Sequence, residues 1–164
     1  MNPYEAVIQC ALSWVGTTEA TGHNDGPEVE MFQQAVDGVA QGEAWCMAFS
    51  MFCIGQAEQS CGVVSSIFRA EHCLTVWNNS QHLAVATPYP GCIAIWQHGN
   101  TTSGHTGIIT GVDEAGGYFT TVEGNTSGGG EGIEREGEGV YEKSRNFYGS
   151  GSMKLVGFLD PFLS

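Results

Sequence analysis

Two periodicities divide the chain. In the first half, apolar residues recur at helical spacing. Ala6, Val7, Cys10, Ala11, Trp14 and Val15 follow this pattern, and Gly16 stops it. Asn2-Pro3-Tyr4-Glu5 predicts the start of that helix, with Asn2 as cap, Pro3 in the first turn and Glu5 at capping-box spacing. Residues 16–26 form a polar loop. Pro27 opens a second helix with Val29, Phe32 and Val36 as its stripe, and Gly38 to Glu43 is a connection. From Trp45 to Ile54 the chain is apolar almost all round, which predicts a buried helix. A further helix is expected over Ser66 to Asn78, and Thr87-Pro88-Tyr89-Pro90-Gly91 is a break.

After that break the period becomes two. Cys92–Gln97, His105–Val112, Tyr118–Glu123, Val140–Phe147 and Met153–Leu159 read as short strands. Asp113-Glu114-Ala115-Gly116-Gly117 joins the second and third in a hairpin. Residues 124–139 hold seven glycines and predict no regular element. Helices first and strands after give an α+β class, with N-terminal helices packed on a C-terminal antiparallel sheet. No repeat or linker is visible, so residues 1–164 are expected to form one domain.

Composition narrows the function. The chain has 164 residues, 41% of them hydrophobic, which suits a folded domain. Its net charge of −13 argues against nucleic acid, because phosphate tracking needs Lys and Arg. It also argues against charge-driven docking on an anionic membrane. No apolar run reaches the roughly 18 residues of a membrane span. No Lys or Arg precedes Arg69, so no signal peptide is expected. The chain would be made in the cytoplasm and act elsewhere only after release or export. The cysteines are Cys10, Cys46, Cys53, Cys61, Cys73 and Cys92. None forms a Cys-x-x-Cys pair, so zinc is not expected, and most should behave as small buried hydrophobes.

Cys46 is the exception. It stands at the start of the buried helix, where backbone N–H groups and the helix dipole favour a thiolate. A reactive cysteine also needs an imidazole and a group to orient it. His105, in Ser103-Gly104-His105-Thr106-Gly107, begins a strand. Glu123 and Asn125 end the next one, two apart and so expected on one face. The hairpin would bring both to His105. Each residue alone has a plainer reading: a core cysteine, a hydrogen-bonded histidine, a solvated strand end. Their order along the chain makes them a set.

Several segments carry a resemblance: Gly42-Glu43-Ala44-Trp45-Cys46-Met47-Ala48-Phe49, Pro90-Gly91-Cys92-Ile93-Ala94-Ile95-Trp96, Gly104-His105-Thr106-Gly107-Ile108-Ile109, and Val122-Glu123-Gly124-Asn125-Thr126. Together they resemble the CHAP domain, the cysteine, histidine-dependent amidohydrolase/peptidase family. Asn24-Asp25-Gly26-Pro27-Glu28-Val29 resembles the lead-in of its phage and bacterial members. The resemblance implies a papain-like fold and an endolysin-like peptidoglycan hydrolase, with Cys46 as nucleophile and His105 as base. It implies Glu123 as the residue orienting His105, and Asn125 as the polar residue some members add. The backbone N–H of Cys46 would form half of an oxyanion hole, and Gln41 is a candidate for the other half. The same set serves an N-acetylmuramoyl-L-alanine amidase or a stem or crossbridge endopeptidase. A catalytically silent binding module is the alternative. Where the family reads Pro-Gly-Asp, this chain has Pro90-Gly91-Cys92. Some members bind calcium through an Asp-rich loop, but Asn24, Asp25, Glu28 and Glu30 lack its spacing, so no metal or cofactor is expected. Trp45 and Trp96 are candidates to line a substrate groove, with half-buried core as the plainer reading of both. Glu131 to Glu142 is expected to be a solvated face, with Arg135, Lys143 and Arg145 available to a substrate carboxylate. The expected partner is bacterial cell-wall peptidoglycan, met by a monomer.

Overall fold

The computed structural model describes residues 1–126, 138–149 and 151–164. Helix α1 (Pro3–Ser13) is capped as its sequence predicts. The Asn2 side chain accepts from the Glu5 N–H at 2.9 Å, and the Glu5 carboxylate accepts from the Asn2 N–H at 3.3 Å. Helix α2 (Pro27–Asp37) buries Val29 and Phe32 and ends on Gly38 at φ 83°. Helix α3 (Cys46–Cys61) buries Cys46 to Met51 without interruption, then Cys53, Ile54 and Ala57. It runs along both earlier helices and the sheet, so no side of its first half faces water.

The helix expected over Ser66 to Asn78 is shorter. Helix α4 spans only Cys73–Asn79. The preceding residues give their backbone groups to other partners. Ser65 Oγ accepts from the Ile67 N–H at 3.1 Å and donates to the Pro161 carbonyl. The Phe68 N–H goes to Ser80 Oγ at 2.9 Å. Side-chain capture of this kind competes directly with helix formation.

The strands lie close to where alternation put them: β2 (Ile93–His98), β3 (Gly104–Asp113), β4 (Tyr118–Thr126), β5 (Gly139–Asn146) and β6 (Met153–Leu159). A two-residue strand, β1 (Ala84–Val85), was too short to show a period. The sheet has the order β1-β6-β2-β3-β4-β5, with every pair antiparallel. This is the α+β arrangement of N-terminal helices and a C-terminal sheet. Of the glycine-rich stretch 124–139, the ends join β4 and β5, and residues 127–137 lie outside the described residues.

Period-two alternation gives the sheet two buried faces. Ile93, Ile95, Ile108, Val122 and Val140 pack with α1, α2 and α3 in the larger core. Ala94, Trp96, Ile109, Phe119 and Phe158 form a second, aromatic cluster. Close approach of α3 to β4 depends on Gly124. A Cβ there would lie 2.6 Å from Phe49 Cβ and 3.0 Å from the Trp45 ring. No described helix is long and apolar enough to cross a membrane.

Candidate active site

Cys46 is the first residue of α3, and the residue is 6% exposed. No side chain caps this helix start, so the first-turn N–H groups keep their donor capacity. One of them, from Met47, is directed at the Cys46 sulfur. Two more groups meet that sulfur. Cys73, which opens α4, places its Sγ 3.6 Å away. His105, the second residue of β3, is near enough to help lower the thiol pKa.

The opposite side of the imidazole is fixed. His105 Nε2 lies 2.7 Å from Glu123 Oε1, with both residues essentially excluded from solvent. Nε2 being committed there, Nδ1 is the nitrogen left for Cys46. Glu123 is itself saturated. Its Oε2 accepts from Thr121 Oγ1 at 2.5 Å and Arg145 Nε at 2.9 Å. Its Oε1 accepts from Arg145 Nη2 at 2.6 Å, and Thr126 Oγ1 stands 3.5 Å off. The Arg145 guanidinium in turn lies over the Trp96 ring, 5.2 Å from its centroid. Sulfur, imidazole, carboxylate and guanidinium thus run in series from α3 through β3 and β4 to β5.

Sheet register builds this series. Trp96 pairs with His105 and Phe119 with Arg145, and His105 and Glu123 each lie at even spacing from members of the aromatic cluster. Gly107 makes room for the carboxylate: a Cβ there would come within 2.5 Å of Glu123 Cγ. Glycine at 107 is therefore a condition for the Glu123 rotamer that meets His105.

The electrostatics follow from these contacts. The Cys46 thiol is held well below the ordinary thiol range, first by its hydrogen bond with Cys73 and then by His105, against burial, which pushes it up. Burial alone would lower His105. Hydrogen bonds with Cys46 and Glu123 reverse this and raise the imidazole to about 10. Burial likewise pushes Glu123 up, but Arg145 and then His105 bring it down to about 2. The site therefore favours a thiolate–imidazolium pair at neutral pH, backed by an ionised carboxylate.

The structure brings Cys46, His105 and Glu123 together and treats the other candidates differently. Asn125 is buried, but the β4–β5 register shifts between Glu123 and Thr126, and Asn125 turns through φ 53°. The simple alternation expected to align it with Glu123 is broken there. Its Oδ1 has no hydrogen-bond partner among the described residues. Trp45 and Trp96 do not line a groove. Both are fully buried, Trp45 against Phe32 with its Nε1 donating to Glu19 at 2.6 Å, and Trp96 between His105 and Phe119. Arg145 is not free for substrate, because its guanidinium is spent on Glu123. Arg135 and residues 131–137 of the expected solvated face lie outside the described residues. Gln41 is exposed, with its N–H bonded to the Glu43 carboxylate at 3.0 Å.

Sequence reasoning missed Arg145 as the partner of Glu123 and Cys73 as the neighbour of Cys46. Arg145 left one signal. It falls on the same strand parity as Tyr141 and Phe147, the side that packs inward. Cys73 left none, since its position depends on how α4 folds back. In the loop considered for calcium, both Asp25 oxygens accept from Thr21, at 2.9 and 2.5 Å. Among the described residues, no group of three or more acidic, His or Cys side chains is placed to hold a metal.

A cleft lies next to the loop that leads into Cys46, lined by Val36, Asp37, Glu43, Ala44, Glu71 and His72 among others. Burial, then the charges of Glu43 and Asp37, raises Glu71 to about 7. The cleft wall therefore changes charge near neutrality.

Residues 38–125 match the family model of the CHAP domain. That segment contains Cys46, His105, Glu123 and Asn125, and stops short of Arg145. No curated protein and no solved structure gives a significant match to the chain.

Proposed function

The chain belongs to the CHAP domain family, typically cysteine/histidine hydrolases of peptidoglycan, and from that premise we propose that it cleaves a peptidoglycan amide bond through a thioester on Cys46. The observation that supports this most is the buried series Cys46–His105–Glu123–Arg145, with the thiol depressed and the imidazole raised. The Cys46 thiolate attacks the amide carbonyl. The backbone N–H of Cys46, at the helix start, is suited to bind the developing oxyanion. The His105 imidazolium gives its Nδ1 proton to the leaving amine. Neutral His105 then takes a proton from water, which hydrolyses the thioester and restores the thiolate. Glu123 fixes the ring and favours its charged form, and Arg145 keeps Glu123 ionised. Asn125, buried beside Glu123, is a further candidate member of the site. Residues 1–164 act as one catalytic domain in this reading, because β5 supplies Arg145.

The test is digestion of purified sacculi with mass analysis of the products. An amidase exposes the L-alanine amine of the stem peptide. An endopeptidase exposes an amine within the stem or crossbridge. Folded Cys46→Ala should release neither. Cleavage by that variant would overturn the thioester, and no cleavage by the unaltered chain would leave a catalytically silent binding module.

A further inference from the structure

We propose that Cys46 and Cys73 form a reversible disulfide, with Cys73 acting as the resolving thiol for an oxidised Cys46. The Sγ atoms are 3.6 Å apart, both residues are buried, and both are free thiols. They open different helices and are 27 positions apart in sequence. A disulfide bond is about 2.05 Å long, so the sulfurs must close by about 1.5 Å, within reach of rotation about two χ1 angles. Cys73 is lodged against the strand carrying His105: a Cβ on Gly104 would lie 3.0 Å from Cys73 Cβ. Its thiol thus faces the sulfur whose pKa His105 also lowers.

The chemistry balances with hydrogen peroxide as oxidant. The Cys46 thiolate attacks one peroxide oxygen, the O–O bond breaks, and a sulfenic acid forms while the leaving hydroxide takes the His105 imidazolium proton and departs as water. Cys73 sulfur then attacks the Cys46 sulfur. The S–S bond forms, the S–O bond breaks, and the Cys73 proton leaves with that oxygen as a second water. Two thiols lose two electrons and the peroxide gains them. A dithiol reductant reverses the linkage by exchange. While linked, Cys46 cannot attack an amide, and it cannot proceed to sulfinic acid, which such reductants do not recover.

The polarity of the pair fits these roles. Cys46 is the low-pKa partner and Cys73 is pushed well up, first by its hydrogen bond with Cys46 and then by burial. Cys10 and Cys53 also share a hydrogen bond, but neither borders His105, and Cys53 is pushed up by burial. The proposal depends on the reactive Cys46 of the hydrolase reading, so its test reads the linkage by mass, apart from activity.

The full chain and its Cys73 variants are treated alike with a several-fold molar excess of hydrogen peroxide, capped with N-ethylmaleimide and digested with chymotrypsin. Cuts after Trp45, Phe49 and Phe52 separate Cys46 from Cys53, and a cut after Trp77 separates Cys73 from Cys92. The expected product is one linked peptide pair carrying Cys46 and Cys73. Activity on sacculi should fall about tenfold or more and return with dithiothreitol. In Cys73→Ala and Cys73→Ser, each compared with its own activity before oxidation, Cys46 should accumulate as sulfinic acid and activity should not return. The proposal is overturned if the unaltered chain shows oxidised Cys46 without linkage, or linkage only between Cys10 and Cys53. Equal recovery of the Cys73 variants also overturns it. A Cys46–Cys73 pair in a protein that cuts no sacculi would keep the disulfide and remove the hydrolase reading. Active protein that never links would do the reverse.

Discussion

Removing the Arg145 guanidinium tests the back of the site most sharply. Arg145→Met keeps much of the side-chain volume over Trp96 and deletes two charge-assisted bonds to Glu123, at 2.9 and 2.6 Å. Such bonds contribute about 1.5–3 kcal/mol each, so the pair amounts to roughly 3–6 kcal/mol. Breaking a buried ion pair from one side costs about 3–5 kcal/mol, because the remaining charge stays buried. The two routes agree on a loss of about 4 kcal/mol in urea unfolding at pH 7. Arg145→Lys keeps the charge but not the fork, and should lose about half as much. Glu123 is now held at about 2, so its contribution is full above the ordinary carboxyl value and fades as pH falls toward 2. Without Arg145 the carboxyl rises, and that loss begins at higher pH. The acid limbs of both stability and turnover should move upward. Adding Glu123→Gln to Arg145→Met should regain part of the lost stability, since an amide is easier to bury than an unpaired carboxylate. A loss below about 1 kcal/mol for Arg145→Met, with unmoved acid limbs, would refute the reasoning.

Four further outcomes follow from the same geometry. Gly107→Ala should displace Glu123 from His105, lower turnover on sacculi and cost about 1–3 kcal/mol; wild-type turnover in a folded variant would show that the carboxylate has room to move. Glu123→Gln should lower turnover more than Asn125→Ala and lower the His105 pKa in an NMR titration, because only Glu123 bonds the ring; the reverse order would make Asn125 the orienting residue. Turnover should fall on the alkaline side near about 10, where His105 loses the proton it gives the leaving amine, and a Glu71→Gln variant should lose any inflection near about 7. Activity should survive EDTA and fail with iodoacetamide; EDTA inhibition reversed by calcium would return the Asn24–Glu30 loop to consideration.

How legible the molecule was differed by element. The five long strands stand within three residues of their expected ends, because β-branched and apolar residues alternate and glycine or proline bounds them. The capping box of α1 is written in four consecutive residues and needs no tertiary partner. The start of α4 was misjudged because Ser65 and Ser80, both apart from the periodic stretch, capture the backbone before it. The order Cys46, His105, Glu123 could be read because β3 and β4 form a local hairpin. Arg145 could not be placed, because its register on β4 is set across the long connection from Thr126 to Glu138. Trp45 and Trp96 could be read two ways for a related reason. An aromatic beside a reactive residue looks alike in sequence whether it faces a groove or fills the space behind it.

Because the series crosses four elements and ends on β5, the reactive thiolate is a property of the finished sheet. In an unfolded chain Cys46 has neither His105 nor a helix start beside it, and its thiol returns to ordinary acidity. Alkylation of Cys46 at mildly acidic pH is therefore a clock for folding as much as a probe of chemistry. A nascent chain halted before Arg145 would carry the cysteine, the histidine and the glutamate and still lack the charge that keeps that glutamate ionised. On the proposed mechanism, completion of the last strands thus arms the site, and a chain ended before Arg145 is expected to cut no sacculi with no inhibitor bound to it.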